Sequence, residues 1–199
     1  MARTVFKAAN LLNGTTAAQP NMTVVVEDGV ITHVAGDGTV MQQAGDTVVD
    51  LHGDTLMPGL VQSHWHGSYL GIDFACPPVG LEKPPGYLML VALKQAQMAL
   101  AAGYTTVIGA ATGDALDAQL KWAIEDGIVQ GPRVIPCGRW LITTGDANDF
   151  PEFWWWGKLN KGAQEICDGP YEFRRAVRQE IKEGAEIIKI FADAGHALI

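Results

Sequence analysis

Residues 58–67 read PGLVQSHWHG, an apolar run that closes on two histidines, His64 and His66, spaced i and i+2. Side chains on a β-strand alternate faces, so both imidazoles would point the same way. Two neutral imidazoles at one strand end make half of a site for a divalent metal. A hydrogen-bonded, inert pair fits the same spacing. The flanking sequence has to discriminate between them.

Downstream, short β-rich runs alternate with helical ones. LVQSHWH is strand-like, and residues 88–103 (LMLVALKQAQMALAAG) carry apolar side chains at helical spacing and close on Gly103. YTTVIGA (104–110) is β-branched, ALDAQLKWAIEDG (115–127) is an amphipathic helix, and RVIPCGRW (133–140) is a third strand. A long loop holding TTGDANDFPEFWWWGK precedes a helix at 171–184 and a fourth strand, AEIIKIFAD, at 185–193. Strands alternating with helices imply a parallel sheet with right-handed crossovers. Four such strands suit half of a (β/α)₈ barrel or a small open sheet. The glycine fingerprints of the common nucleotide-binding sheets are missing.

Upstream, residues 1–57 read as a small all-β unit. TVVVE (23–27) and VITHVA (30–35) flank Asp28-Gly29, a strong hairpin signal, and Gly53-Asp54 marks a turn between TVVDL (47–51) and TLM (55–57). His33 and His52 read as strand-edge or surface residues. The predicted domains are therefore 1–57 and 58–199.

The chain of 199 residues is 48% hydrophobic and 18% charged, a balance that builds a globular core. A formal charge of −8 argues against nucleic acid or an anionic membrane as partner. No signal peptide and no run of roughly 20 apolar residues is evident. Cys76, Cys137 and Cys167 form no C-x-x-C pair, so buried thiols in a reducing cytoplasm are expected.

Lys189 interrupts an apolar strand. Alternation puts Ile187, Lys189, Phe191 and Asp193 on one face and Ile188 and Ile190 on the other. Burial lowers an amine's pKa, and a neutral amine reacts with carbon dioxide to give a carbamate able to bridge two metals. An ordinary ion pair with a carboxylate, Asp193 for instance, also fits. In a barrel both the His-x-His pair and Lys189 would lie near the C-terminal strand ends, where active sites of such barrels form.

Taken together, LMPGLVQSHWH, the VEDGVITHVAG hairpin, AAGYTTVIGA, EDGIVQGPRVIPCGRWL and DGPYEFRRAVRQEIKEGAEIIKI resemble the metal-dependent amidohydrolase superfamily. The similar branch contains imidazolonepropionase and the metal-dependent dipeptidases and carboxypeptidases. The resemblance runs through essentially the whole chain. It implies an α/β fold: the N-terminal half of a TIM (β/α)₈ barrel, about four strands, preceded by part of a small β-sandwich domain. It implies that His64 and His66 bind a metal and that Lys189 is the carboxylated bridging ligand. Two zinc ions are expected, with Co, Mn or Fe as substitutes. A metal-bound hydroxide would attack an amide-like carbonyl of an amide, carbamate, urea or N-acyl amino acid or peptide. Ring opening of a cyclic amide or deamination is the alternative, although Lys189 argues against deamination. A non-catalytic half that scaffolds a partner is the alternative of another class.

Such enzymes need two more histidines and an aspartate from later strands. A second polypeptide, or a missing C-terminal half, is expected to complete the barrel, and a homo-oligomer is the expected assembly. His196, in the loop after Lys189, matches none of the missing ligands and is a candidate substrate contact. Gln62 stands where aspartate is common, the loop from Asp146 to Asp149 diverges, and Asp193-Ala194-Gly195 replaces a more usual Thr-Gly-Gly. Trp154, Trp155 and Trp156 would line the rim near the metals and favour a small aromatic or apolar substrate. A lid or an interface packed with aromatics would use the same residues.

Overall fold

The computed structural model describes residues 2–69, 83–146, 149 and 162–192. Within it the chain divides into two compact units, residues 1–58 and 59–199.

The first unit is one five-stranded sheet. Strands β1 (Arg3–Leu11), β2 (Gln19–Glu27), β3 (Val30–Gly36) and β4 (Thr47–Asp50) lie in the order β3-β2-β1-β4, and β5 (Thr55–Leu56) also pairs with β1. The β2–β3 hairpin turns through Asp28 and Gly29, both at positive φ (48° and 82°), the backbone the Asp-Gly signal requires. The second turn falls one residue earlier than expected. Its corner is His52-Gly53, at φ 48° and 91°, and it closes with Asp54 N–H on the Leu51 carbonyl at 2.7 Å. Central β1 buries Val5, Ala9 and Leu11 against Val24 and Val25 of β2.

The second unit is built on parallel strands. β6 (Leu60–Trp65), β7 (Tyr104–Gly109) and β8 (Arg133–Ile135) form one sheet in that order, with α1 (Pro85–Ala101) and α2 (Leu116–Glu125) as crossovers. Trp65, Val107 and Val134 face outward onto Ala92 and Ala96 of α1 and Leu120 of α2. A second parallel sheet has the order β10 (Gln164–Ile166), β9 (Trp140–Ile142), β11 (Lys189–Ile190). Helix α3 (Gly169–Lys182) covers it, with Ala176, Phe173 and Val177 packed on Leu141, Cys167 and Ile188. This is the first half of a (β/α)₈ barrel, with helices on the outer face of unclosed parallel sheets.

The expected third strand at 133–140 is broken in two, β8 and β9. Pro136 has no N–H for a ladder, and Gly138 sits at φ 68°, where an added Cβ would lie 2.3 Å from Glu180 Oε2. Buried carboxylates fill the break. Asp117 accepts the N–H groups of Cys137 (2.7 Å) and Gly138 (3.0 Å), and Glu180 accepts the N–H of Arg139 (3.0 Å). Arg139 also gives its guanidinium to Glu180 (2.6 Å) and Glu165 (2.6 Å). The fourth strand is shorter than expected because Glu186 and Ile187 donate instead to the Pro136 carbonyl, at 2.9 and 3.2 Å. No helix among the described residues is long and apolar enough to cross a membrane.

Candidate metal centre

The His-x-His pair sits at the C-terminal end of β6. His64 and His66 project to one side, and Trp65 between them turns outward into the helix-facing core. Gly67 lets the chain fold back over Trp65, since a Cβ there would lie 2.3 Å from the indole. The two Nε2 atoms are 3.0 Å apart, so one imidazole N–H donates to the other ring. Gln62 steadies this end, its Oε1 accepting the backbone N–H of His64 at 3.2 Å. The ring of Tyr69 stacks on His66 at 4.7 Å, nearly parallel at 13°. Ala111, two residues past the end of β7, is held at φ 155°, a backbone region that favours glycine; such strain is commonest at functional sites.

Lys189 of β11 reaches the same point, with Nζ 3.4 Å from His64 Nε2. Burial pushes its amine below the usual lysine range. Burial first, then the charges of Lys189 and His64, lower His66 to about 4, so its ring is neutral at pH 7. Three nitrogens therefore converge at one point, and burial lowers the proton affinity of two of them, His66 and Lys189.

That donor set fits a divalent cation. Nitrogens 3.0 Å apart subtend roughly 95° at a metal placed about 2.0–2.1 Å from each, within the range of zinc coordination. Among the described residues no group of three His, Cys, Asp or Glu joins to hold a metal, so the pair is a partial site.

Register decides what surrounds it. Trp140 of β9 is the direct partner of Lys189, so both side chains share a face. The Lys189 Nζ lies 5.6 Å from the Trp140 ring and 5.2 Å from Phe191, and Trp140 meets His66 edge-on at 6.3 Å. Tyr69, Trp140 and Phe191 thus form an aromatic wall beside the nitrogens. Sequence reasoning placed Phe191 on the lysine face but missed Tyr69 and treated Trp140 only as a strand residue. The available signal was Trp140 in RVIPCGRW, but its meaning depends on a pairing register the sequence does not state.

Trp154, Trp155, Trp156, His196, Asp193 and Cys76 lie outside the described residues. His33 and His52 are exposed and bond locally to Thr32 and Asp50. Burial raises Cys137 and Cys167 to about 11, leaving them as inert packed thiols.

A fold of parallel strands and outer helices, with paired histidines at the first strand end and an inward lysine on the fourth, defines an amidohydrolase half-barrel. The amidohydrolase family model matches residues 55–197, and the chain belongs to that family. It is similar to ochratoxinase of Aspergillus niger, 28% identical over 211 residues, covering 96% of this chain and 42% of the ochratoxinase. The crystal structure of A. niger ochratoxinase superposes with a TM-score of 0.79 at 26% identity, covering 98% of this chain and 47% of that one. A prolidase crystallised with N-methylphosphonate-L-proline superposes equally well, at TM-score 0.79 and 30% identity, over 95% of this chain and 46% of the prolidase. The chain thus spans less than half the length of these relatives.

Proposed function

We propose that this chain supplies the first half of the active site of a metal-dependent hydrolase that cleaves an amide-like C–N bond. The observation that carries the reading is the convergence of His64 Nε2, His66 Nε2 and Lys189 Nζ at the strand ends. Family membership supports the reaction class, as do relatives named ochratoxinase and prolidase.

His64 and His66 would hold one divalent ion, and carboxylated Lys189 would bridge it to a second. Zinc is the first choice, since imidazole nitrogen suits it. When bound, such ions acidify a water and polarise a carbonyl oxygen. The chain's own residues set the stage. Stacking on Tyr69 orients the His66 ring, and burial keeps it unprotonated and ready to ligate. Desolvation shifts Lys189 toward its neutral, reactive amine form. That amine adds to carbon dioxide: an N–C bond forms, one C=O π pair moves onto oxygen, and the displaced N–H proton passes to water. Trp140 and Phe191 cover one side of the lysine and offer an apolar wall, which supports an aromatic or apolar small-molecule substrate.

The remaining ligands and a proton-relaying aspartate would come from further sequence or a second polypeptide. Exposed Leu60 and Val61 on edge strand β6, and Ile190 on β11, support a missing neighbour on those sides. Buried free thiols at Cys137 and Cys167 support a cytoplasmic setting.

The test is turnover by the complete zinc-loaded protein on N-acyl amino acids, dipeptides, aryl carbamates and ureas, read as released amine. Activity on at least one class is expected. His64→Ala should reduce it by more than the ~100-fold that loss of a supporting partner alone can cost. No amine release from any class, with metal counted in the site, would sink the proposal.

A further inference from the structure

Trp140 is 4% exposed, and its indole Nε1–H has no hydrogen-bond partner among the described residues. Native interiors keep few such donors, because a buried N–H without an acceptor forfeits its hydration for nothing. This one is not buried at random. Strand pairing sets Trp140 directly opposite Lys189, and the ring lies among Lys189 Nζ (5.6 Å), Phe191 (5.6 Å) and His66 (6.3 Å). Phe191 has no polar atom, and a lysine ammonium is itself only a donor. In that form neither side chain offers an acceptor, and the His66 ring, the third neighbour, meets the indole edge-on with centroids 6.3 Å apart.

Carboxylation of Lys189 reverses that. The amine gains a carbon and two oxygens, loses a proton to water and carries one negative charge, so acceptors appear where only donors stood. We propose that Trp140 Nε1–H is the hydrogen-bond donor to a carbamate oxygen of Lys189, and so acts as a positioning residue for the bridging group. The inference rests on the carboxylation of Lys189 proposed above. The indole face shields the amine from water, and its N–H takes up the charge that carboxylation creates. A bond to an ionised acceptor is among the stronger ones available to a neutral donor.

The experiment follows the carbamate directly. The complete protein carrying this chain, loaded with zinc, is titrated with ¹³C-bicarbonate and the carbamate carbon is read by NMR. Two replacements are compared: Trp140→Phe, and 3-benzothienylalanine at position 140, which exchanges N–H for sulfur in a ring of nearly the same shape. Both should need roughly ten-fold more bicarbonate for half-occupancy, the effect of losing one charge-assisted bond. With metal and bicarbonate removed, the benzothienyl protein should melt no lower than the parent, since the lost donor had no partner there. An unchanged bicarbonate dependence in the benzothienyl protein overturns the proposal, as does a shift confined to Trp140→Phe, which is a packing effect. Unchanged carbamate occupancy with a raised KM would assign the donor to substrate and also overturns it. If the parent protein shows no carbamate at all, the Lys189 reading itself has failed, an outcome distinct from these.

Discussion

Two clusters of polar side chains in this half-barrel are built on opposite terms. Around the break at Pro136, Cys137 and Gly138, every charge has a partner: Asp117 caps two backbone N–H groups, and Arg139 is held between Glu180 and Glu165. At the strand ends, His64, His66 and Lys189 set nitrogens against one another with no carboxylate between them among the described residues. The first cluster is closed and holds the chain in shape. The second is where the proposed metal would sit. Groups of opposite charge that satisfy each other stabilise a fold, whereas gathered nitrogens add little to it and suit a cation instead.

Mutation should separate the two clusters cleanly. Glu180→Ala leaves the Arg139 guanidinium with Glu165 alone and its backbone N–H without an acceptor, and losing that buried partner should cost about 3 kcal/mol. Urea unfolding should show that loss with or without metal. Asp117→Ala removes the acceptor of the Cys137 and Gly138 N–H groups and should cost about 2–3 kcal/mol in the same assay. In contrast, His64→Ala should change metal-free stability by less than about 1 kcal/mol, because His64 is exposed and its loss leaves no unpaired charge. It should still abolish the stabilisation that added zinc gives the parent. If His64→Ala destabilised the metal-free protein as much as Glu180→Ala, the contrast between a closed and an open cluster would be gone.

A smaller effect tests how Asp117 carries its charge. Burial raises its carboxyl above the ordinary 3.8, against the lowering pull of the Cys137, Gly138 and Ala118 N–H groups. The folded state therefore holds that proton more tightly than the unfolded chain does. Its contribution is fully present below pH 3.8 and is lost as pH rises through the raised folded value. The stability difference between the parent and Asp117→Asn should thus favour the parent most near pH 3.5 and shrink toward pH 7. A difference growing with pH would show that the N–H groups outweigh burial.

Much of this could be read from the residues. The β-α alternation gave the parallel sheets, Asp28-Gly29 gave the hairpin, and alternation around Lys189 placed Phe191 on its face and Ile188 on the other, which packs on α3. What escaped depends on long-range pairing. Strand β1 is the centre of the first sheet, yet Arg3, Lys7 and Asn10 interrupt its apolar pattern, and only its partners on both sides explain why it is a strand. RVIPCGRW reads as one strand because the carboxylates that bend it, Asp117 and Glu180, lie 20 and 41 residues away from the N–H groups they accept. Trp140 joined the site for the same reason: its neighbour is Lys189, 49 positions on, and only the β9–β11 register says so.

The central claim is that His64, His66 and Lys189 are ligands rather than a packed cluster of bases, and counting metal tests it most directly. Native mass spectrometry of the complete protein, reconstituted with zinc and bicarbonate, should find about two metals per barrel. His64→Ala should bind fewer, and Lys189→Ala should lose the bridged second ion. Metal-free protein after reconstitution, or equal metal in the parent and both variants, would contradict the account.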